Sequence, residues 1–197
     1  MQTHITMTTL KMGQVPSVSL VPGVGCPNHR ACSKSCYAKR LVYSRPTLRR
    51  AWGANAWLAL HHRDKYFSDI FHLVSVLTPR FFRWHVAGDI LDQDYLNRMI
   101  ELVNRTQHTQ HLAFTKRHEL DFRNLPSRLT VVFSMWNGTG DPEAARRQGL
   151  ACAWVRNRKD PDPRIPPDAI DCPGGCDECG ACWALPSLGR DVVFDQR

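Results

Sequence analysis

The chain has 197 residues, 43% of them hydrophobic, and its 26 Lys and Arg outnumber 18 Asp and Glu for a formal net charge of +8. That length and apolar share suffice for one buried core, and no run approaches the ~18 consecutive apolar residues of a membrane span, so no membrane partner is expected. The basic balance admits a nucleic acid or a small anionic ligand without requiring either, because pairs such as Arg49/Arg50, Arg80/Arg83 and Arg146/Arg147 are spread along the chain. In chain order, residues 17–21 (SVSLV) predict a short strand closed by Pro22-Gly23. Residues 48–62 and 65–77 carry apolar side chains at helical spacing, and Pro79 stops the second of these helices. An alternation follows: strand 81–86, helix 92–104, strand 111–115, strand 129–135, a brief helix 141–148 opening on Asp141-Pro142, and strand 150–155. Strands alternating with helices imply βα units. The expected fold class is therefore α/β, either an incomplete (β/α) barrel or an open, mainly parallel sheet, with a cysteine-rich C-terminal tail. The division expected is a core over residues 1–155, then a proline-rich linker and metal-binding tail over 156–197, with residues 191–194 returning to a sheet edge.

Seven of the eight cysteines fall into two groups, Cys26/Cys32/Cys36 and Cys172/Cys176/Cys179/Cys182, with Cys152 apart. A disulfide framework would suit a secreted chain with too small a core. The N-terminus shows no apolar run with a small-residue cleavage site, so the expectation is a soluble, cytoplasmic protein whose grouped thiols hold metal. Cys26-x5-Cys32-x3-Cys36 follows directly after a strand. Three thiolates on one loop suit an iron-sulfur cluster with one open iron, or zinc if His29 or a distant cysteine completes the set. Cys172-x3-Cys176-x2-Cys179-x2-Cys182 supplies a complete tetrad, closer to a cluster-binding run than to the paired CxxC units of a zinc ribbon, with a zinc staple as the alternative. The two groups could hold separate metals, or the loop could borrow a thiolate from the tail. Cys152 lies in ACAWV and reads as a small core residue.

The order Cys26-Pro27, Cys32, Cys36-Tyr37-Ala38, then Arg83-x-His85-x-Ala87-Gly88-Asp89, then Phe114-Thr115-Lys116, with Cys182-Trp183 near the end, resembles the bacteriophage gene-product-88 family. That family is in turn distantly similar to radical SAM proteins, in which a three-cysteine loop after the first strand of a βα barrel binds a 4Fe-4S cluster capped by S-adenosylmethionine. The loop here departs from the usual CxxxCxxC. Cys172-x3-Cys176-x2-Cys179 has that spacing at the opposite end of the chain, after a linker.

In α/β sheets functional groups gather at the carboxyl ends of strands, which is where Arg83, His85, Gly88 and Asp89, then Lys116, then Ser134 and Asn137 are expected. Gly88 permits close backbone approach to a ligand. By analogy with radical SAM proteins, this segment would contact the methionyl amine, with Asp89 as its anionic partner. The plainer reading makes Asp89 a turn cap and His85 a hydrogen-bonded core histidine. No glycine-rich phosphate loop, HExxH helix or serine-nucleophile elbow is present. The expectation is thus an iron-sulfur (4Fe-4S) protein with a radical-SAM-like core and one-electron or radical chemistry, located in the host cytoplasm if phage-encoded. The alternative is a non-catalytic, metal-stabilised nucleic-acid-binding module. The sequence leaves the substrate and the oligomeric state open.

Overall fold

The structure, a computed structural model, describes residues 1–27, 32, 36–135, 140–157, 159 and 161–195. Its centre is an eight-stranded sheet in the order β1 (Ile5–Thr6), β2 (Ser17–Val18), β3 (Phe81–Trp84), β4 (Gln110–Thr115), β5 (Leu129–Ser134), β6 (Ala151–Arg156), β8 (Val192–Asp195), β7 (Ile170–Asp171). Only the β1–β2 pairing is antiparallel. The sheet stays open, so of the two architectures expected the open, mainly parallel sheet is the one observed.

From β2 to β6 each new strand is added on the same side of its predecessor. With right-handed crossovers, that order sends every connecting helix to one face. Accordingly α2 (Pro46–His61), α3 (Arg63–Leu77), α4 (Gln93–Arg105) and α5 (Pro142–Arg147) pack together on one side. Ala56, Phe67, Ile70, Met99, Val103 and Ala145 meet Phe82, Trp84, Ala113, Val131 and Phe133 there. Local signals fix the helix ends: the Asp92 carboxylate accepts the Tyr95 N–H at 2.8 Å, and the Asp141 carboxylate accepts the Glu143 N–H at 2.9 Å ahead of Pro142. Cys152 is fully buried in this core, at 0% exposure.

The opposite face, which in a closed barrel would be the interior, is covered by the C-terminal segment. Phe81, Leu112, Val132, Ala153 and Val192 point to this side and pack on Met12, Val15, Trp183 and Leu185. Two short helices, α6 (Cys176–Cys179) and α7 (Ala181–Leu188), make the cover. The last strand does return to the sheet, but inside the edge: β8 pairs with β6 and β7 forms the outermost strand. One further helix, α1 (Tyr37–Ser44), leaves the first cysteine loop and packs Ala38 and Val42 against Trp52 and Ala87. Among the described residues no helix is long and apolar enough to cross a membrane.

Candidate metal centre

The first cysteine loop hangs from the carboxyl end of β2. Turns bring the Gly25 N–H onto the Val21 carbonyl (2.9 Å) and the Cys26 N–H onto the Gly23 carbonyl (3.3 Å). Cys36 stands at the N-cap of α1 in extended conformation, at the positive end of the helix dipole. Cys26, Cys32 and Cys36 are partly buried and lie within electrostatic reach of one another. Burial pushes the Cys26 thiol up to about 11, opposed by the Gly23 backbone contact and reinforced by the Asp89 carboxylate. His29 lies outside the described residues.

The Arg83–Asp89 segment forms the wall behind this loop. The His85 N–H bonds the Val18 carbonyl at 2.9 Å, the Leu20 N–H the Ala87 carbonyl at 2.8 Å, and the Asp89 N–H the Gly25 carbonyl at 2.6 Å. Gly88 has φ +94, and a Cβ there would meet Leu20 Cβ at 2.7 Å and the Gly25 carbonyl at 3.2 Å. The close approach this glycine permits is therefore to the chain's own loop. Asp89 is buried, and its carboxylate accepts from the Thr115 hydroxyl (2.6 Å), the Ile90 N–H (2.8 Å) and the Lys116 N–H (3.0 Å). Burial raises its pKa and those bonds pull it back down. Asp89 thus ties the ends of β3 and β4 to the cysteine loop.

His85 turns to the helix-covered side. It has a left-handed backbone (φ 55) and is 3% exposed, with Nε2 at 2.9 Å from the Tyr95 hydroxyl, which in turn donates to the Tyr66 hydroxyl at 2.8 Å. Burial, aided by Arg83, lowers its pKa to about 3, so it is neutral at physiological pH. Lys116 is half-buried just past β4. Ser134 ends β5 and shares, by strand alternation, the face of Thr130 and Val132, whereas Asn137 lies outside the described residues.

The second cysteine group sits on the other face of the sheet. Cys172 follows β7, its N–H bonded to the Val193 carbonyl at 2.9 Å; Cys176 and Cys179 open and close the single turn α6; Cys182 lies in the first turn of α7. All four line one small, open pocket with a cavity volume of about 20 Å³, together with Gly180 and Trp183. Burial pushes the Cys182 thiol up to about 12, with the Arg83 charge opposing and the other three thiols reinforcing the shift; Cys176 is raised for the same reason. Among the described residues no three His, Cys, Asp or Glu side chains stand in an arrangement that would hold a single metal ion.

Two devices hold this segment to the sheet. Gly180, at φ +60 between the two helices, lets the Phe81 ring approach so closely that a Cβ would meet Phe81 Cζ at 2.9 Å, and Phe81 packs on Trp183 with ring centroids 4.5 Å apart. A turn ahead of β2, between Thr9 and Gly13, grips from the other side. The Gly175 N–H bonds the Lys11 carbonyl (3.1 Å), the Asp177 N–H the Met12 carbonyl (3.2 Å), and the Gln14 N–H the Asp177 carboxylate (2.9 Å). Sequence reasoning missed this clamp, and its one trace in the sequence is Gly13, where a Cβ would collide with the Asp177 carboxylate.

A family model described as Gene product 88 matches residues 2–185. The chain belongs to that phage family. No curated protein and no solved structure gives a match to this chain. The segments that carried the resemblance have distinct places in this Gene product 88 chain: the Cys-Tyr-Ala segment begins α1, the His-x-Ala-Gly-Asp segment backs the Cys26 loop, and Cys182-Trp183 forms part of the tail pocket.

Arg83 links the two thiol groups. Its guanidinium stacks over Phe114 at 4.0 Å, and its Nε is sealed from solvent without a hydrogen-bond partner. The ionisable groups facing it are Tyr37 and then Cys182, Cys176 and Cys172, all of them neutral unless metal binds the thiols. Tyr37 in turn faces Cys36, Cys26 and Cys32, with its hydroxyl turned inward onto the Val86 carbonyl. Thiols and a phenol, rather than a carboxylate, are the ionisable groups that act on Arg83 most strongly.

Proposed function

We propose that this protein binds an iron-sulfur cluster through Cys172, Cys176, Cys179 and Cys182, and that Cys26, Cys32 and Cys36 form a second, three-thiolate centre able to leave one iron open. The observation that carries the reading is four thiols around one pocket, faced by an arginine whose strongest electrostatic neighbours are Tyr37 and three of those thiols and whose Nε has no hydrogen-bond partner among the described residues. A partly buried cation whose Nε is sealed from solvent is unfavourable without an anion beside it, and neutral thiols do little to relieve it. Metal-bound thiolates relieve it directly, because coordination deprotonates the thiol and leaves the site net negative. A single tetrahedral zinc, with Zn–S near 2.3 Å, would draw four sulfurs within about 3.8 Å of one another. Among the described residues no such convergence on a single ion is present, and a cluster, whose irons hold the four thiolates further apart, accords better with four thiols set around one pocket. Bound there, a cluster would supply one-electron transfer.

The chain's own residues have defined parts in this reading. Arg83 supplies positive charge to the tail centre, Asp89 and Gly88 hold the Cys26 loop against β3, and Phe81 and Trp183 shield the tail pocket from water. A radical chemistry requiring S-adenosylmethionine rests on the three-cysteine loop at the carboxyl end of β2 and on the sequence resemblance described above. The test is anaerobic purification with iron, sulfide and zinc quantified on the sample that gives the visible spectrum, for the parent chain and for the Cys176→Ala and Cys36→Ala variants. Iron and sulfide in equal amounts, reduced by each substitution separately, supports two centres. S-adenosylmethionine binding lost only in Cys36→Ala supports the open-iron assignment. A colourless parent protein containing stoichiometric zinc overturns the redox reading.

A further inference from the structure

The net charge of this chain is not spread evenly. Residues 1–63 hold nine Lys and Arg and no Asp or Glu, whereas residues 64–197 hold seventeen against eighteen acidic residues. In the second stretch arginines meet carboxylates: Arg98 with Asp64, Arg123 with Asp121 (2.6 Å), Arg156 with Asp171 (2.6 Å) and Asp195 (2.8 Å), Arg164 with Asp162 (2.7 Å). In the first stretch Lys11 lies in the turn ahead of β2 and Arg63 pairs with Asp92 and Asp94, while the other five described basic residues collect at the junction of α1 and α2. Arg40, Arg45, Arg49 and Arg50 are exposed and Lys39 half-exposed, and none has a carboxylate partner among the described residues.

Their placement is electrostatically unfavourable in the isolated chain. Lys39 and Arg40 lie in the first turn of α1 and Arg49 in the first turn of α2, at the positive ends of helix dipoles, and neither helix has an acidic residue in its first turn; Arg45 caps both the end of α1 and the start of α2. Arg45 and Arg49 stand four residues apart on one helical turn, where like charges repel. A surface that collects cations against both effects is relieved by an external polyanion. One turn on from Arg40, Tyr43 is 79% exposed, a ring on which an unpaired base can stack.

The geometry points to the α1–α2 junction as a binding surface for single-stranded nucleic acid, with Arg40, Arg45, Arg49 and Arg50 meeting phosphates and Tyr43 meeting a base. Since Cys36 is the N-cap of α1, the strand would lie beside the three-cysteine loop. The binding itself does not depend on which metal the cysteines hold.

The test is fluorescence anisotropy of a labelled, mixed-sequence single-stranded DNA oligonucleotide with the full chain, titrated over a range of salt concentrations. Each phosphate contact contributes about 0.7 to the slope of log affinity against log salt for single strands. The R45Q/R49Q/R50Q variant is expected to lose at least about tenfold in affinity at low salt and about 2 in that slope. Tyr43→Ala should weaken binding with no change of slope. The R98Q/R123Q/R190Q variant removes the same charge from sites that already have acidic partners, and it should bind as the parent does. No binding by the parent at low salt overturns the proposal, as does equal loss in both triple variants, which would reduce the effect to bulk charge. If the first triple variant fails to fold, as judged by far-UV circular dichroism, Arg49→Gln alone should lower the slope by about 0.7, and an unchanged slope overturns the proposal.

Discussion

The helix-covered face of the sheet excludes Tyr66, Phe82, Trp84, Tyr95 and Phe133 from water almost completely, while the opposite face carries a charged Arg83 and is closed by helices of four and eight residues. On the first face the polar groups within the apolar packing mostly find partners, the His85 Nδ1 being an exception. His111 accepts from the Trp84 indole N–H at Nδ1 (3.2 Å), which leaves Nε2 to donate to the Thr106 hydroxyl (3.0 Å), and that hydroxyl donates to the Leu102 carbonyl (3.0 Å). On the second face the Arg83 Nε and the Trp183 indole N–H are buried without partners, beside four free thiols. The difference teaches where folding energy comes from in each half. One side is complete as a protein core, and the other is assembled around chemistry still to be supplied.

Breaking the complete side should have the largest effect. Phe67 packs edge-on against Tyr66 and Tyr95 at ring-centroid distances of 5.3 and 4.9 Å, so Phe67→Ala should cost about 3–5 kcal/mol in denaturant unfolding and take both faces with it. Acid should act next. Burial lowers both His85 and His111 to about 3, below their ordinary value near 6.5. Between those values the unfolded chain binds two protons that the folded chain refuses. Stability should be fully present above about pH 6.5 and fall as pH drops toward 3, by up to about 2.7 kcal/mol per pH unit when both titrate. His111→Gln should lessen that slope by about half in urea titrations at several pH values.

The incomplete side should respond to metal and leave its neighbour standing. Chelation is expected to raise the rate of proteolysis within residues 156–190 about tenfold, with far-UV circular dichroism changing little, because the two short helices contribute few of the helical residues. A global loss of helix on chelation would mean that the two faces form one cooperative unit. The smallest effect should come from Gly180→Ala, about 1–2 kcal/mol, since φ +60 is strained for alanine and its Cβ would push Phe81 at 2.9 Å. Its sharper readout is the near-UV signal of Trp183, which should shift while that of the opposite core does not.

The main elements were legible in the sequence because long periodic segments betray themselves. The helices around Trp52 and Phe67 and the strands around Phe82, Ala113 and Val131 carry enough apolar residues at one spacing to exclude other structures. β1 and β7 are two residues each, too short to show any period, and α6 and α7 are bounded by Gly175, Gly180 and Gly189 in left-handed conformations that read as loop. The cysteine tetrad was legible from spacing, since close intervals along a chain keep thiols close in space whatever the fold. Arg83 was visible as a residue near a strand end, yet its relation to the tail was not. Strand alternation says that Arg83 and Phe82 face opposite ways without saying which face the tail will cover.

The sequence alone therefore determined the α/β class, the grouping of the thiols and the excess of basic residues, all of which are local or additive properties. Tertiary structure decided that the sheet stays open, that the tail lies on the face the helices leave bare, and that the Thr9–Gly13 turn clamps it there. It also decided which basic residues meet carboxylates and which do not. Those outcomes depend on contacts between residues as far apart as Gln14 and Asp177, and such pairings are set by the packing of whole elements, which no window of sequence contains.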